Sequence, residues 1–248
     1  MSIHSNTIVF ASKKVGYSCL KYLFEINENI VQVFVGEDDE DIKSLCEEIG
    51  SEWAICNQVN IARFLASSSR VDWLLNLWSS PILGEEILAF ADKRLNIHPG
   101  LVPNCRGNDS AAWCIRKGIP AGVSLIEMEA ELDAGGIYSQ RVVDVKPSDT
   151  GKQLHFRQID ACIELFIQDW LKIRAGKIVT HPQPKGGSYF TRNNTNKDRI
   201  RKLQDLPSGE DFARWARAHD FSPSTCAEFV LPDGQIFEVR KKNLGVPD

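Results

Sequence analysis

The chain has 248 residues, 43% of them hydrophobic, and its 29 basic and 33 acidic side chains give a formal net charge of −4. Such apolar content excludes a chain that is disordered throughout and suffices for a sizeable core, as one large domain or a domain with a small appendage. The near-neutral balance excludes a global pull toward nucleic acid or an anionic membrane.

The N-terminus carries no basic stretch ahead of a long apolar core, and no stretch reaches the roughly 18 apolar residues of a membrane span, so a cytoplasmic protein without membrane insertion is expected. Thr7 to Ala11 is a short apolar, β-branched run, and the pattern through Leu20, Leu23 and Phe24 is helical. Ile30 to Val35 reads as a second strand closed by Gly36. The acidic run Glu37 to Asp41 suits the positive N-terminus of a helix through Ile42, Leu45, Cys46 and Ile49. Trp53 to Cys56 and Val71 to Trp78 continue as strands around a short helix, Asn60 to Ala66. Alternating strands and helices predict parallel βαβ units. The turn Ser12-Lys13-Lys14-Val15-Gly16 holds one glycine where a dinucleotide fingerprint needs three, which speaks against NAD, and no P-loop is present.

Ser79 to Gly84 is an apolar loop broken by Pro81 and Gly84, followed by a helix from Glu85 to about Ala91. It reads either as core packing or as the wall of a pocket for a flat heterocycle, with Ile82, Leu83 and Ile87 as the apolar surface. In the strand Leu95-Asn96-Ile97-His98, Asn96 and His98 share a face while Leu95 and Ile97 anchor the other. Pro99-Gly100 stops the strand, which leaves the histidine at its C-terminal end, where open α/β sheets bind ligands. A loop to Asp109, a helix from Ser110 to Lys117, and strands over Gly122 to Glu129 and Gly136 to Val145 follow. Between those strands Asp133-Ala134-Gly135-Gly136 forms a turn that puts Asp133 at a loop tip.

The apolar stripe Leu154, Phe156, Ile159, Cys162, Leu165, Phe166 and Trp170 predicts a long helix, closing the main domain near residue 176. A loop-like stretch from Thr180 to Gly187 then leads to Ser188 to Asn194, a basic helical run Lys197 to Lys202, and a helix Gly209 to His219. A hairpin turning at Pro232-Asp233-Gly234 completes the chain. The division expected is residues 1–180 for the main domain and 181–248 for a small C-terminal region. Seven scattered cysteines, never spaced as C-x-x-C, read as reduced thiols.

A lone strand histidine is more often a core residue than a catalyst, and Asp-x-Gly-Gly alone is usually a turn; His4, His155, His181 and His219 keep that plain reading. In ordered combination, however, Asn96-x-His98-Pro99-Gly100-Leu101-x-Pro103, Arg106-Gly107 and Leu132-Asp133-x-Gly135 resemble the signature of the 10-formyltetrahydrofolate-dependent formyltransferases. The resemblance spans residues 7 to 180. It implies an α/β, Rossmann-like core with a mostly parallel sheet, to which the small C-terminal helix and β-hairpin read above are an appendage. It also implies catalytic Asn96, His98 and Asp133, 10-formyltetrahydrofolate as formyl donor, and a folate site that takes in Met128, Glu129 and Glu131 beside the apolar loop.

Formyl transfer to an amine passes through a tetrahedral intermediate, which needs a donor for the oxyanion, a group for the amine proton, and a group to orient that one. Asn96 suits the first role, His98 the second and Asp133 the third, with the first two exchangeable. No metal is needed, and no H-E-x-x-H or Cys/His cluster would hold one.

Among acceptors, a tail of Tyr-Phe-x-Arg-Asn-Asn, helix and hairpin is most similar to the sugar-nucleotide N-formyltransferases, which act on dTDP- or GDP-linked amino sugars for surface glycans such as O-antigen. The glycinamide ribonucleotide enzymes end near the long helix, and the methionyl-tRNA enzymes carry a larger C-terminal barrel. A non-catalytic folate or nucleotide-sugar binding protein and a formate-releasing hydrolase complete the alternatives. On the sugar-nucleotide reading, Tyr189, Phe190, Arg192, Asn193 and Asn194 meet the nucleotide, Asn108, Asp109 and Trp113 line the sugar side, and Lys13 with Lys14 offers a second diphosphate contact. The competing reading of the 189–194 stretch is a loop packed under the C-terminal helix. The terminal helix and hairpin provide either a homodimer surface or the completion of a monomer core.

Overall fold

The computed structural model describes residues 5–79 and 83–242. Its elements run β1 (Thr7–Ala11), α1 (Lys13–Glu25), β2 (Ile30–Val35), α2 (Glu40–Ile49), β3 (Trp53–Ile55), α3 (Gln58–Ser67), β4 (Val71–Leu77), α4 (Glu85–Ala89) and β5 (Ala91–His98). They continue with β6 (Arg106–Gly107), α5 (Ser110–Lys117), β7 (Ala121–Ile126), β8 (Ile137–Val143), α6 (Gly151–Arg174), β9 (Tyr189–Phe190) and α7 (Arg192–Arg199). The last are β10 (Ile200–Lys202), a short 3-10 turn (Leu203–Asp205), α8 (Gly209–Ala218), β11 (Ala227–Val230) and β12 (Ile236–Val239).

The chain forms two compact units. The first takes residues up to 98, 124–140 and 159–183; the second takes 99–123, 141–158 and everything from 184. A seven-stranded sheet in the order β3-β2-β1-β4-β5-β7-β8 carries the first unit, with residues 121–123 and 141–143 of its last two strands assigned to the second. Strands β1 to β5 pair in parallel. Strand β7 runs antiparallel to β5, setting Asn96 opposite Ile126, Ile97 opposite Leu125 and His98 opposite Ser124. The α/β class and mostly parallel sheet thus stand as the sequence predicts.

The sheet holds together by burying the apolar runs that define its strands. Ile8, Phe10, Phe34, Val71, Leu74, Ile87 and Ala91 form one buried cluster, with Phe10 stacked on Phe34 at 4.8 Å. Each such large side chain contributes about 1.5–3 kcal/mol on leaving water. Helix α6 adds Trp170 edge-on to Trp73 at 5.0 Å. It also brings Trp170 Nε1 within 3.1 Å and Arg174 within 2.5 Å of the buried Glu28 carboxylate, which compensates the cost of burying that charge.

In the second unit β10 pairs in parallel with β11, and β11 pairs antiparallel with β12. The basic run 197–202 is therefore not one helix. Thr191 and Asn194 form a capping box that starts α7 early, and Ile200–Lys202 leaves the helix to pair with Glu228–Val230. Two further strands, β6 and β9, pair in parallel and join Arg106 to Tyr189 and Gly107 to Phe190.

Candidate active site

Strand β5 ends at His98, with Leu95 and Ile97 buried on its other face. Alternation therefore aims Asn96 and His98 at one place. The turn between β7 and β8 brings Asp133 there: Asn96 Nδ2 donates to Asp133 Oδ1 at 3.3 Å, and His98 Nδ1 lies 3.4 Å from Asp133 Oδ2. One carboxylate thus spans the carboxamide and the imidazole, and His98 and Asp133 are both largely enclosed, at 4% and 13% side-chain exposure. Contacts of this length tighten when substrate fills a site.

The turn is built for close approach. A Cβ on Gly135 would lie 2.0 Å from the Glu127 carbonyl oxygen, so the position admits no side chain without movement. Glu127 N–H donates to Gly136 O at 2.8 Å and closes the loop. Asp133 itself takes a positive φ of 54°, a region that Asp tolerates better than most side chains.

Of the residues expected at a folate site, Leu83 and Met128 are half-buried against the cluster that contains the buried Ile87. All three thus belong to one apolar cluster of the first unit. Glu129 and Glu131 are exposed, and Ile82 lies outside the described residues. Arg94, two residues before Asn96 on β5, pairs with Glu127 at 3.4 Å. Neither was marked in the sequence. The alternation Arg94, Asn96, His98 was the available signal for the first.

Lys13 donates its backbone N–H to Asp39 at 2.8 Å, and Ser12 Oγ donates to the same carboxylate at 2.6 Å. The start of α1, where a dinucleotide-binding fold receives phosphate, is thereby occupied by the chain's own acid. Lys14 pairs with Asp160 at 2.7 Å.

In the second unit Trp113 is buried, stacks on Phe190 at 4.3 Å and 9°, and donates from Nε1 to Thr195 Oγ1 at 3.0 Å. Arg192 pairs with Asp109 at 2.7 Å. Tyr189, Arg192 and Asn193 are exposed, whereas Asn194 is engaged in the α7 cap. Asn108 N–H donates to Phe190 O at 2.7 Å, and a Cβ on Gly107 would lie 2.2 Å from that same oxygen. The Arg-Gly stretch after the histidine strand is therefore the seat of the 189–190 segment.

Among the other histidines, His219 Nε2 lies 2.8 Å from Asp198 Oδ2, His155 packs on Phe156 and Phe221, His181 bridges to Ile137, and His4 lies outside the described residues. Among the described residues, no group of three or more His, Cys, Asp or Glu is placed to hold a metal ion, and no helix is long and apolar enough to cross a membrane. All seven cysteines are free.

The formyl transferase family pattern matches residues 69–169, the span from β4 to most of α6. The fold is similar to a 4-N formyltransferase from Francisella tularensis, at 20% identity over 98% of this chain and 99% of that one with a TM-score of 0.81. It is also similar to an N-formyltransferase from Helicobacter canadensis solved with folinic acid and dTDP-3-aminofucose, at 15% identity over 86% and 80% with a TM-score of 0.70. A third match is the formyltransferase PseJ from Anoxybacillus kamchatkensis, in complex with UDP-4,6-dideoxy-4-formamido-L-AltNAc and tetrahydrofolate, at 24% identity over 86% and 97% with a TM-score of 0.60. The matched span contains Asn96, His98 and Asp133, and the chain as a whole shares the fold of these formyltransferases.

Proposed function

We propose that the protein transfers the formyl group of 10-formyltetrahydrofolate to the amino group of a nucleotide-linked amino sugar. The observation that carries this reading is the meeting of Asn96 and His98 with Asp133 at the end of β5, inside the span of the family match. Attack of the amine on the formyl carbon builds negative charge on the formyl oxygen. Asn96 has two N–H donors, one directed at Asp133 and the second to stabilise that oxygen. His98 takes the proton the amine must lose, and Asp133 holds the imidazole and stabilises its charged form. The proton returns to the departing N10 as its bond to carbon breaks, which leaves tetrahydrofolate and the formamide.

Leu83 and Met128, half-buried on the apolar cluster, suit one face of a flat heterocycle, with Ile82, Ile87, Glu129 and Glu131 as neighbouring contacts. For the acceptor, exposed Tyr189 and Arg192 supply an aromatic face and a guanidinium suited to a base and a diphosphate. Phe190, Asn193, Asn108, Asp109, Trp113 and Lys13 complete the acceptor contacts. Relatives of the same fold hold dTDP- and UDP-linked sugars, which supports a nucleoside-diphosphate carrier. Our reading places the reaction in the cytoplasm, on a precursor of a surface glycan such as O-antigen, with the C-terminal region joining two copies of the chain.

Mass spectrometry of reactions containing the protein, 10-formyltetrahydrofolate and a panel of dTDP-, GDP- and UDP-linked amino sugars beside glycinamide ribonucleotide tests this. Gain of one formyl group on a sugar nucleotide is expected. Formylation of glycinamide ribonucleotide alone, or release of formate with no formylated acceptor, would replace the reading.

A further inference from the structure

We propose that Gln183 is a positioning residue of the formyl-transfer site, holding the Asp133 turn so that the carboxylate reaches both Asn96 and His98. This rests on the reading of the site given under Proposed function. Gln183 Nε2 lies 2.7 Å from the Asp133 carbonyl oxygen and 2.8 Å from that of Gly135. A carboxamide nitrogen carries two N–H donors, so one group closes the turn from both sides of Ala134. The turn needs such support because Asp133 sits at positive φ, a conformation that costs an L-residue energy unless its surroundings hold it.

The arm that carries the carboxamide is stiff. In His181-Pro182-Gln183-Pro184 the first proline fixes its own φ, and the second biases Gln183 to an extended backbone. His181 exchanges both backbone hydrogen bonds with Ile137, at 2.8 and 3.0 Å, which ties the arm to the residue immediately after the turn. On the opposite side Gly135 abuts the Glu127 carbonyl. The turn is thus clamped between the end of β7 and the 181–183 segment, and the second clamp acts through a replaceable side chain. Its two acceptors are the carbonyls of the catalytic aspartate itself and of the residue two positions on, so movement there moves the carboxylate.

The test compares Gln183→Met, Gln183→Glu and Gln183→Lys in the full chain. Met and Glu keep the size but remove the donors, and Lys restores N–H donors. We expect Met and Glu to lower kcat about tenfold to a hundredfold, the range for a catalytic group displaced by about an ångström, with KM for both substrates unchanged and part of the rate regained in Lys. A Glu variant with wild-type kcat would show that size alone suffices and would overturn the proposal. Hydrogen exchange supplies a readout free of catalysis. Faster exchange confined to residues 131–136 in Gln183→Glu supports the clamp, whereas unchanged exchange there, or loosening across the whole unit, overturns it. A wild-type protein inert on every acceptor would count against the proposed reaction, while the exchange result would still decide the role of Gln183.

Discussion

Asp133 joins a backbone problem to a chemical one: its positive φ is set by the turn, and its two carboxylate oxygens face two different partners. Asp133→Asn keeps the size and removes the carboxylate charge that faces His98. We expect kcat to fall about a hundredfold or more, the scale of a general acid-base contribution, with the melting temperature little changed. Initial rates near those of the wild type would instead assign Asp133 to the turn alone. Strand alternation and the Pro-Gly stop made the shared face of Asn96 and His98 legible, and Asp-x-Gly-Gly the turn at Asp133; that the three side chains meet was expected only from the family resemblance. Gln183 was not legible, since its partners lie 50 and 48 positions away and nothing near it in the sequence signals them. Lys13 and Lys14 read from the sequence as diphosphate contacts, and the fold adds a carboxylate neighbour to each. The carboxylates of Asp39 and Asp160, which engage the first through its backbone and the second through its ammonium, are neighbours only in the fold.

At the scale of elements, the long strands and α6 followed from hydrophobic period, whereas β6 and β9 did not, because two residues cannot display a period of two. Their existence depends on the Gly107 backbone lying against Phe190, and the stack of Phe190 on Trp113 then fixes α5 to the 189–190 segment. A double-mutant cycle on Trp113→Leu and Phe190→Leu, read by denaturant unfolding, should give a coupling of about 0.5–1.5 kcal/mol, the value of a well-aligned aromatic pair. Additive single effects would mean that the two rings pack independently. The basic run 197–202 shows the converse failure. Its composition permits a helix, but pairing with β11 outweighs local propensity over its second half.

For the whole molecule, composition and charge bounded the class but did not reveal the ionic cluster in the second unit. Asp198 receives Arg116 at 3.0 Å, His219 at 2.8 Å, and Arg201. Burial, the largest single influence, pushes its carboxyl upward, yet the His219 hydrogen bond, the Arg116 charge and the Arg201 hydrogen bond together hold it well below the ordinary range. A depressed carboxyl contributes stability that is complete above its unfolded value of about 3.9 and is lost as pH falls toward the folded value. Asp198→Asn should therefore melt lower than the wild type at neutral pH, and the gap should narrow below about pH 4. A gap constant across that range would show that the charge contributes nothing. Chain-order reading missed this cluster because its four members lie on α5, on α7, in β10 and just past α8, and only the fold assembles them.

In the proposed reaction His98, held by Asp133, carries the amine proton during formyl transfer. The most direct measurement follows an isotopically labelled formyl group from 10-formyltetrahydrofolate to the amino-sugar nucleotide, comparing wild type with a folded His98→Asn variant. Label should reach the acceptor with the wild type and essentially none of it with the variant; turnover by His98→Asn at a near-normal rate would remove His98 from the proton transfer.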